Sequence, residues 1–156
     1  LEASFSMKSF LNILDDDRPI KEVMREEIPL DPMYQMAYRW ATSIFRWTGR
    51  VYFKEGKKDR DIFRAHINAY LVPAKVSFAQ AEEVHIGEVS LKIALKEYEL
   101  ARIYLERTCE SLGRISFSSE DEQFEKWIKD GKTLHKAILQ TCSQIQRRLQ
   151  KPFNQL

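Results

Sequence analysis

Between residues 31 and 53 the chain reads DPMYQMAYRWATSIFRWTGRVYF, an apolar and aromatic run that a helix can hold only if it is covered on several sides. Asp31 is a helix-capping residue, and Pro32 suits the first turn, where its missing N–H costs nothing. Met33, Ala37, Trp40, Ile44, Trp47 and Val51 recur at three- and four-residue steps and define one helix face. Tyr34, Tyr38, Ala41, Phe45 and Tyr52 make a second apolar stripe beside it, leaving Arg39, Ser43, Arg46 and Arg50 as a narrow polar edge. Such a helix belongs inside a bundle or against a second subunit.

The rest of the chain supplies the other helices. Five glycines and five prolines in 156 residues leave few turns, which suits long helices better than many short strands. Met7, Phe10, Leu11 and Leu14, and then Ile20, Val23 and Met24, suggest short helices in an N-terminal arm over residues 1–30. Met7 reads as a natural start, with the six residues before it foreign to the protein. After a break at Lys54-Glu55-Gly56-Lys57-Lys58, the spacing of Phe63, Ile67, Tyr70, Ala74, Phe78 and Ala81 predicts a core face kinked at Pro73. Gly87 marks the next break. Two faces follow over 88–112: Val89, Ile93, Leu100, Ile103 and Tyr104, and alongside them Leu91, Ala94, Tyr98, Leu105, Cys109 and Leu112. Gly113 reads as a helix terminator. Ser119 with Glu122 forms a capping box for a last helix carrying Phe124, Trp127, Ile128, Leu134, Ile138, Cys142, Ile145 and Leu149. Pro152 closes it. The expectation is an all-α fold: an up-down antiparallel bundle of four long helices over 31–152, short N-terminal helical segments packed against it, and a tail at 153–156.

Polar residues on apolar faces are the candidates for chemistry. On the wheel for 88–112, Lys92, Glu99, Arg102, Glu106 and Glu110 form the polar side, and Glu97 lies about 160° from its centre. A carboxylate there needs a partner, since an unpaired buried charge is too costly. His135 and His85 are the natural ones, with Arg39 as a further choice, giving an expected buried polar cluster of Glu97, His85 and His135. The same residues, with Glu82, are the only metal candidates, for Zn or Fe. Glu82 and His85 make one Glu-x-x-His unit, the spacing of carboxylate-bridged di-iron bundles. Those need two such units, and Lys132 stands where the second glutamate should precede His135. An ion pair without a cofactor is therefore the expectation.

The segment Arg60-Asp61-Ile62-Phe63-Arg64-Ala65-His66 resembles the Arg-polar-x4-His pattern of HEPN ribonucleases, which are also helical bundles. That resemblance covers seven residues and implies Arg60 and His66 as a catalytic pair acting on a phosphate at a dimer interface. Around it the chain is basic. Residues 39–64 carry eight Arg or Lys against three Asp or Glu, in a protein of net charge only +2. Arg46, Arg50, Lys57, Lys58 and Arg64, interleaved with aromatics, are the ingredients of a single-strand nucleic-acid or polyanion surface. They are equally the solvated edge of a bundle, and the near-neutral whole favours that reading.

Cys109 and Cys142 lack metal spacing and read as reduced thiols. No apolar run approaches ~20 residues and no signal-peptide layout is present, so the expectation is a cytoplasmic protein without membrane spans. No P-loop, dinucleotide fingerprint or nucleophile elbow occurs. Together these readings point to a non-catalytic interaction or assembly module, self-associating as a homodimer or binding a protein partner. A metal-dependent or ribonuclease-type enzyme and a nucleic-acid binder are the alternatives.

Overall fold

Asp31 begins the first helix as its chemistry demands. Its Oδ1 accepts hydrogen bonds from the Met33 and Tyr34 backbone N–H groups at 2.8 and 3.3 Å. The computed structural model describes residues 31–85, 87–116 and 122–151. The expected N-terminal helices, Ser119 of the capping box, Pro152 and the tail lie outside the described residues. The chain divides at residue 30, and residues 31–156 form a unit of their own.

Helix α1 spans Pro32–Gly49 and continues as a single π-helical turn at Arg50–Lys54. Gly56 then adopts φ +72°, the left-handed conformation that lets the chain reverse. Helix α2 (Arg60–Ala69) starts at Asp59, whose carboxylate accepts from the Asp61 and Ile62 N–H groups at 2.8 and 3.0 Å. Helices α3 (Leu71–Glu83), α4 (Glu88–Ser116) and α5 (Gln123–Gln150) complete the unit. No strand occurs among the described residues, and no helix of theirs is long and apolar enough to cross a membrane.

Four rods result, because α2 and α3 run end to end. Paired contacts give their directions. Tyr38 meets Tyr70 while Phe45 meets His66, so α1 and α2 are antiparallel. Asp61 meets Arg114 while Lys75 meets Glu97, which opposes α2–α3 to α4. Glu106 meets His135 on α5, and Trp47 meets Phe124, closing the ring back to α1. Each rod packs on its two neighbours, and α1 lies diagonal to α4. The all-α bundle of four antiparallel rods is thus the fold.

Three sequence expectations change. Pro73 does not kink a continuous helix: α2 ends at Ala69, and Pro73 is the third residue of α3, where no N–H is required. Gly113 terminates nothing, since α4 runs on to Ser116. The expected core face of the second rod faces outward. Ile62, Ala65, Ala69, Val72, Val76 and Ala79 are buried, whereas Phe63, Ile67 and Phe78 are exposed. Small residues let this rod nest closely between α1 and α4, and dense packing is worth more than the larger area of the other face. Helix α4 behaves alike, burying the face of Leu91, Ala94, Tyr98 and Leu105 and leaving Val89 and Ile93 outside.

Close approach recurs at the α1–α4–α5 junction. Trp40 Nε1 donates to the Trp127 carbonyl at 2.8 Å in the buried interior. A Cβ on Gly131 would lie 2.6 Å from Cys109 Sγ and 3.4 Å from Trp40 Cζ2, so glycine is what lets these rods meet.

Candidate functional site

Glu97, His85 and His135 do not come together. Glu97 sits at the α3–α4 seam with Lys75 Nζ 2.8 Å from its Oε2, the two side chains 21% and 23% exposed. That oxygen is sealed from solvent, yet no aligned hydrogen-bond donor reaches it, so the contact is an ion pair by proximity alone. The expected partners fail on geometry. Arg39 is on the diagonal rod, and His135 meets α4 two turns later, its Nε2 2.8 Å from Glu106 Oε1. His85 is exposed beyond the end of α3, and Glu82 lies half-buried one turn earlier. Among the described residues no group of three or more His, Cys, Asp or Glu gathers as a metal site would require. Zn or Fe at Glu82, His85, Glu97 and His135 is therefore set aside.

A polar cluster with no local sequence signal lies nearby. Tyr98 is buried and donates its hydroxyl to Glu83 Oε1 at 2.5 Å, while Glu83 Oε2 lies 3.5 Å from Arg148 of α5. Burial first, and then the bond to Glu83, push the Tyr98 phenol far up, so it stays neutral and acts as a donor. Its place on an apolar face beside Glu97 hid it. The motif is a clasp that ties α3, α4 and α5 together.

His66 faces α1. Its ring stacks on Phe45 with centroids 4.0 Å apart and meets the edge of Phe53 at 5.4 Å. Thr48 Oγ1 is 2.8 Å from the Ile44 carbonyl and 3.0 Å from His66 Nδ1. Thr48 Oγ1 and His66 Nδ1 thus share a hydrogen bond that ties α2 to α1. Burial lowers the His66 pKa, opposed by a hydrogen bond to the Phe45 backbone. Arg60 occupies the exposed first turn of the same straight helix. Six residues at about 100° each direct the two side chains to faces roughly 120° apart. The helix thus holds His66 against α1 and leaves Arg60 outside, without the convergence that the ribonuclease resemblance implies.

The basic end is different in kind. Trp40 is core, as the solvated-edge reading holds, but Phe53 is 58% exposed and Phe63 is 40% exposed. Tyr52 lies between them, 5.0 Å from Phe53 and 5.3 Å from Phe63. Lys58 Nζ sits 4.2 Å above the Tyr52 ring and 5.1 Å from the Phe53 centroid while donating to the Tyr52 carbonyl at 2.9 Å. Arg46, Lys54, Lys57 and Arg60 are exposed around this cluster, and Arg64 is half-buried. The acids of the region have local duties: Asp59 caps α2, Asp61 pairs with Arg114 at 2.9 Å, and Glu55 lies 3.5 Å from Arg50.

Elsewhere, an open cleft of 890 Å³ runs between the starts of α1 and α5, lined by Met36, Arg39, Lys126 and Asp130 among others. Its lining mixes charges, Glu122 and Asp130 with Arg39 and Lys126, and its Ser43 hydroxyl is turned to the Arg39 and Trp40 carbonyls. Cys109 and Cys142 are both free. Burial pushes the Cys109 thiol up to about 11, and raises Cys142 as well, which makes both poor nucleophiles at neutral pH. No family model matches the chain, and no curated protein or solved structure matches it either.

Proposed function

We propose that this chain is a non-catalytic assembly module that self-associates through the outer face of α3 and α4. The observation that carries the reading is the choice of faces. Both helices bury their tighter-packing side and leave Leu71, Phe78, Val89 and Ile93 outside, with Phe78 59%, Val89 70% and Ile93 43% exposed. Contiguous exposed apolar surface on a folded protein marks an interaction site.

The occupant proposed is a second copy. The Lys75–Glu97 pair bridges α3 and α4 within this patch, with Lys75 Nζ 5.5 Å from the Phe78 ring centroid. Ile93 and Val89 lie one and two turns before Glu97 on α4. A two-fold axis through the pair sets each charge against the opposite charge of the other copy, with apolar side chains around them. From Ile67 to the end of α3 the face is roughly 25 Å by 20 Å, a footprint on the order of 500 Å² per copy. That is at the low end for specific interfaces, and it corresponds to a reversible dimer rather than an obligate one. The two free thiols fit a reducing compartment such as the cytoplasm.

Sedimentation velocity over a range of protein concentrations tests this. The expected result is a monomer–dimer equilibrium that Phe78→Asp shifts to monomer with helicity unchanged. A wild type that stays monomeric at the highest concentration overturns it.

A further inference from the structure

The sequence gathers aromatic and cationic residues around the π-helical turn, and the fold leaves Phe53 and Phe63 exposed with Lys58 over the rings of Tyr52 and Phe53. We propose that the surface made by Tyr52, Phe53, Lys57, Lys58 and Phe63 binds single-stranded nucleic acid, with bases stacking on Phe53 and Phe63 and phosphates meeting the surrounding cations. This surface lies on the α1–α2 end of the molecule and goes beyond the self-association reading.

Three observations converge on it. The first is the geometry of the rings. Tyr52 meets Phe53 at an interplanar angle of 72° and 5.0 Å, and His66 meets it at 68° and 5.4 Å, so neither neighbour is stacked parallel on the Phe53 ring. With more than half of Phe53 exposed, the ring offers a stacking platform that an unpaired base can use and a paired base in a duplex cannot. The second is anchorage. Phe53 sits on the π-helical turn that closes α1, with Gly56 in its left-handed conformation after it and the Asp59 cap beyond, so the platform is part of the folded rod.

The third is charge. Asp59 and Asp61 are held by the α2 cap and by Arg114, and Glu55 is next to Arg50, so the cations outnumber the acids that could face a ligand. Lys57, Lys54, Arg46 and Arg60 point outward around the platform, and Lys58 is already placed over two rings. Cations and π-faces gathered at one end of a near-neutral protein match a polymer that is itself alternating phosphate and base. A small cavity in this region, 50 Å³ beside Lys57 and Arg114, is no groove for a helical peptide.

The test is fluorescence anisotropy at low salt with four probes: a labelled mixed-sequence RNA oligonucleotide, its duplex, heparin and an acidic peptide. The proposal expects the single strand to bind best. Phe53→Ala should weaken it roughly tenfold, the loss of one stacked base, while Phe53→Trp retains binding. Lys57→Glu with Lys58→Glu should lower the slope of log affinity against log salt by roughly 1.4, the share of two phosphate contacts on a single strand. Because these side chains lie at the surface, circular dichroism should show helicity retained in each variant. No binding of the single strand overturns the proposal. So does tighter binding of the duplex, heparin or the acidic peptide, or a single-strand affinity indifferent to Phe53→Ala in a folded variant.

Discussion

Two side chains carry more of this bundle than their letters suggest. Burial against Phe45 lowers the His66 pKa, and its Nδ1 is hydrogen-bonded with Thr48 Oγ1. Its folded pKa lies below the value in the unfolded chain, so between the two the unfolded chain binds more protons and folding weakens as pH falls. That contribution is fully present above the ordinary histidine pKa of about 6.5 and is lost on acidification through the lowered folded value. Urea midpoints measured from pH 7.5 to 5 should fall for wild type, and fall less for His66→Gln. Equal slopes in the two proteins would show that His66 does not titrate in the fold. Tyr98→Phe removes a buried donor from the Glu83 carboxylate while keeping the ring, so a loss of about 1.5–3 kcal/mol is expected. An unmoved unfolding midpoint would exclude the Tyr98–Glu83 bond. Glu97, by contrast, belongs with partly exposed ion pairs, whose net worth is small.

Helices meet where side chains let them, and Gly131 is the clearest case. Alanine there gains about 1 kcal/mol in helix propensity but sets its Cβ 2.6 Å from Cys109 Sγ. Overpacking of that kind costs about 1–3 kcal/mol, and Trp40 Cζ2 at 3.4 Å bounds the added methyl on another side. Gly131→Ala should therefore destabilise by up to about 2 kcal/mol net. Adding Cys109→Ala should recover part of it, a coupling that a double-mutant cycle of melting temperatures reads directly. Additive effects would mean the two helices do not approach as closely as described. The same packing logic explains α2 and α3, where Ala65, Ala69 and Ala79 face the interior and Phe63 and Phe78 do not.

At the scale of the molecule, the exposed face of α3 and α4 links stability to concentration. If a second copy covers Phe78, Val89 and Ile93, the melting temperature should rise with protein concentration, because the dimer binds only folded chains. The rise should vanish in Phe78→Asp. A concentration-independent melting temperature in wild type would contradict association through this face. The basic surface at the α1–α2 end is a separate feature, and its variants leave this dependence intact.

Periodicity, capping and turn residues act through neighbours close in the chain, and for that reason they were legible. Asp31 and Pro32 announced α1, Asp59 sits where α2 begins, Gly87 marked a real break, and the 3.6-residue repeat of 31–53 required a covered helix. Where two apolar faces competed, in the rod of α2–α3 and in α4, period alone had no way to choose. The choice depended on how closely rods can nest, which small residues decide once neighbours are in place. The same holds for polar partners. The wheel showed that Glu97 needed a cation, but the ring order of rods selected Lys75 over His85, His135 or Arg39. It also brought Glu83 to Tyr98 and Thr48 to His66, across fifteen and eighteen residues of chain. Local sequence determines each helix, its ends and its charge; which face is hidden, and which distant side chains meet, is settled only when four rods fill one volume.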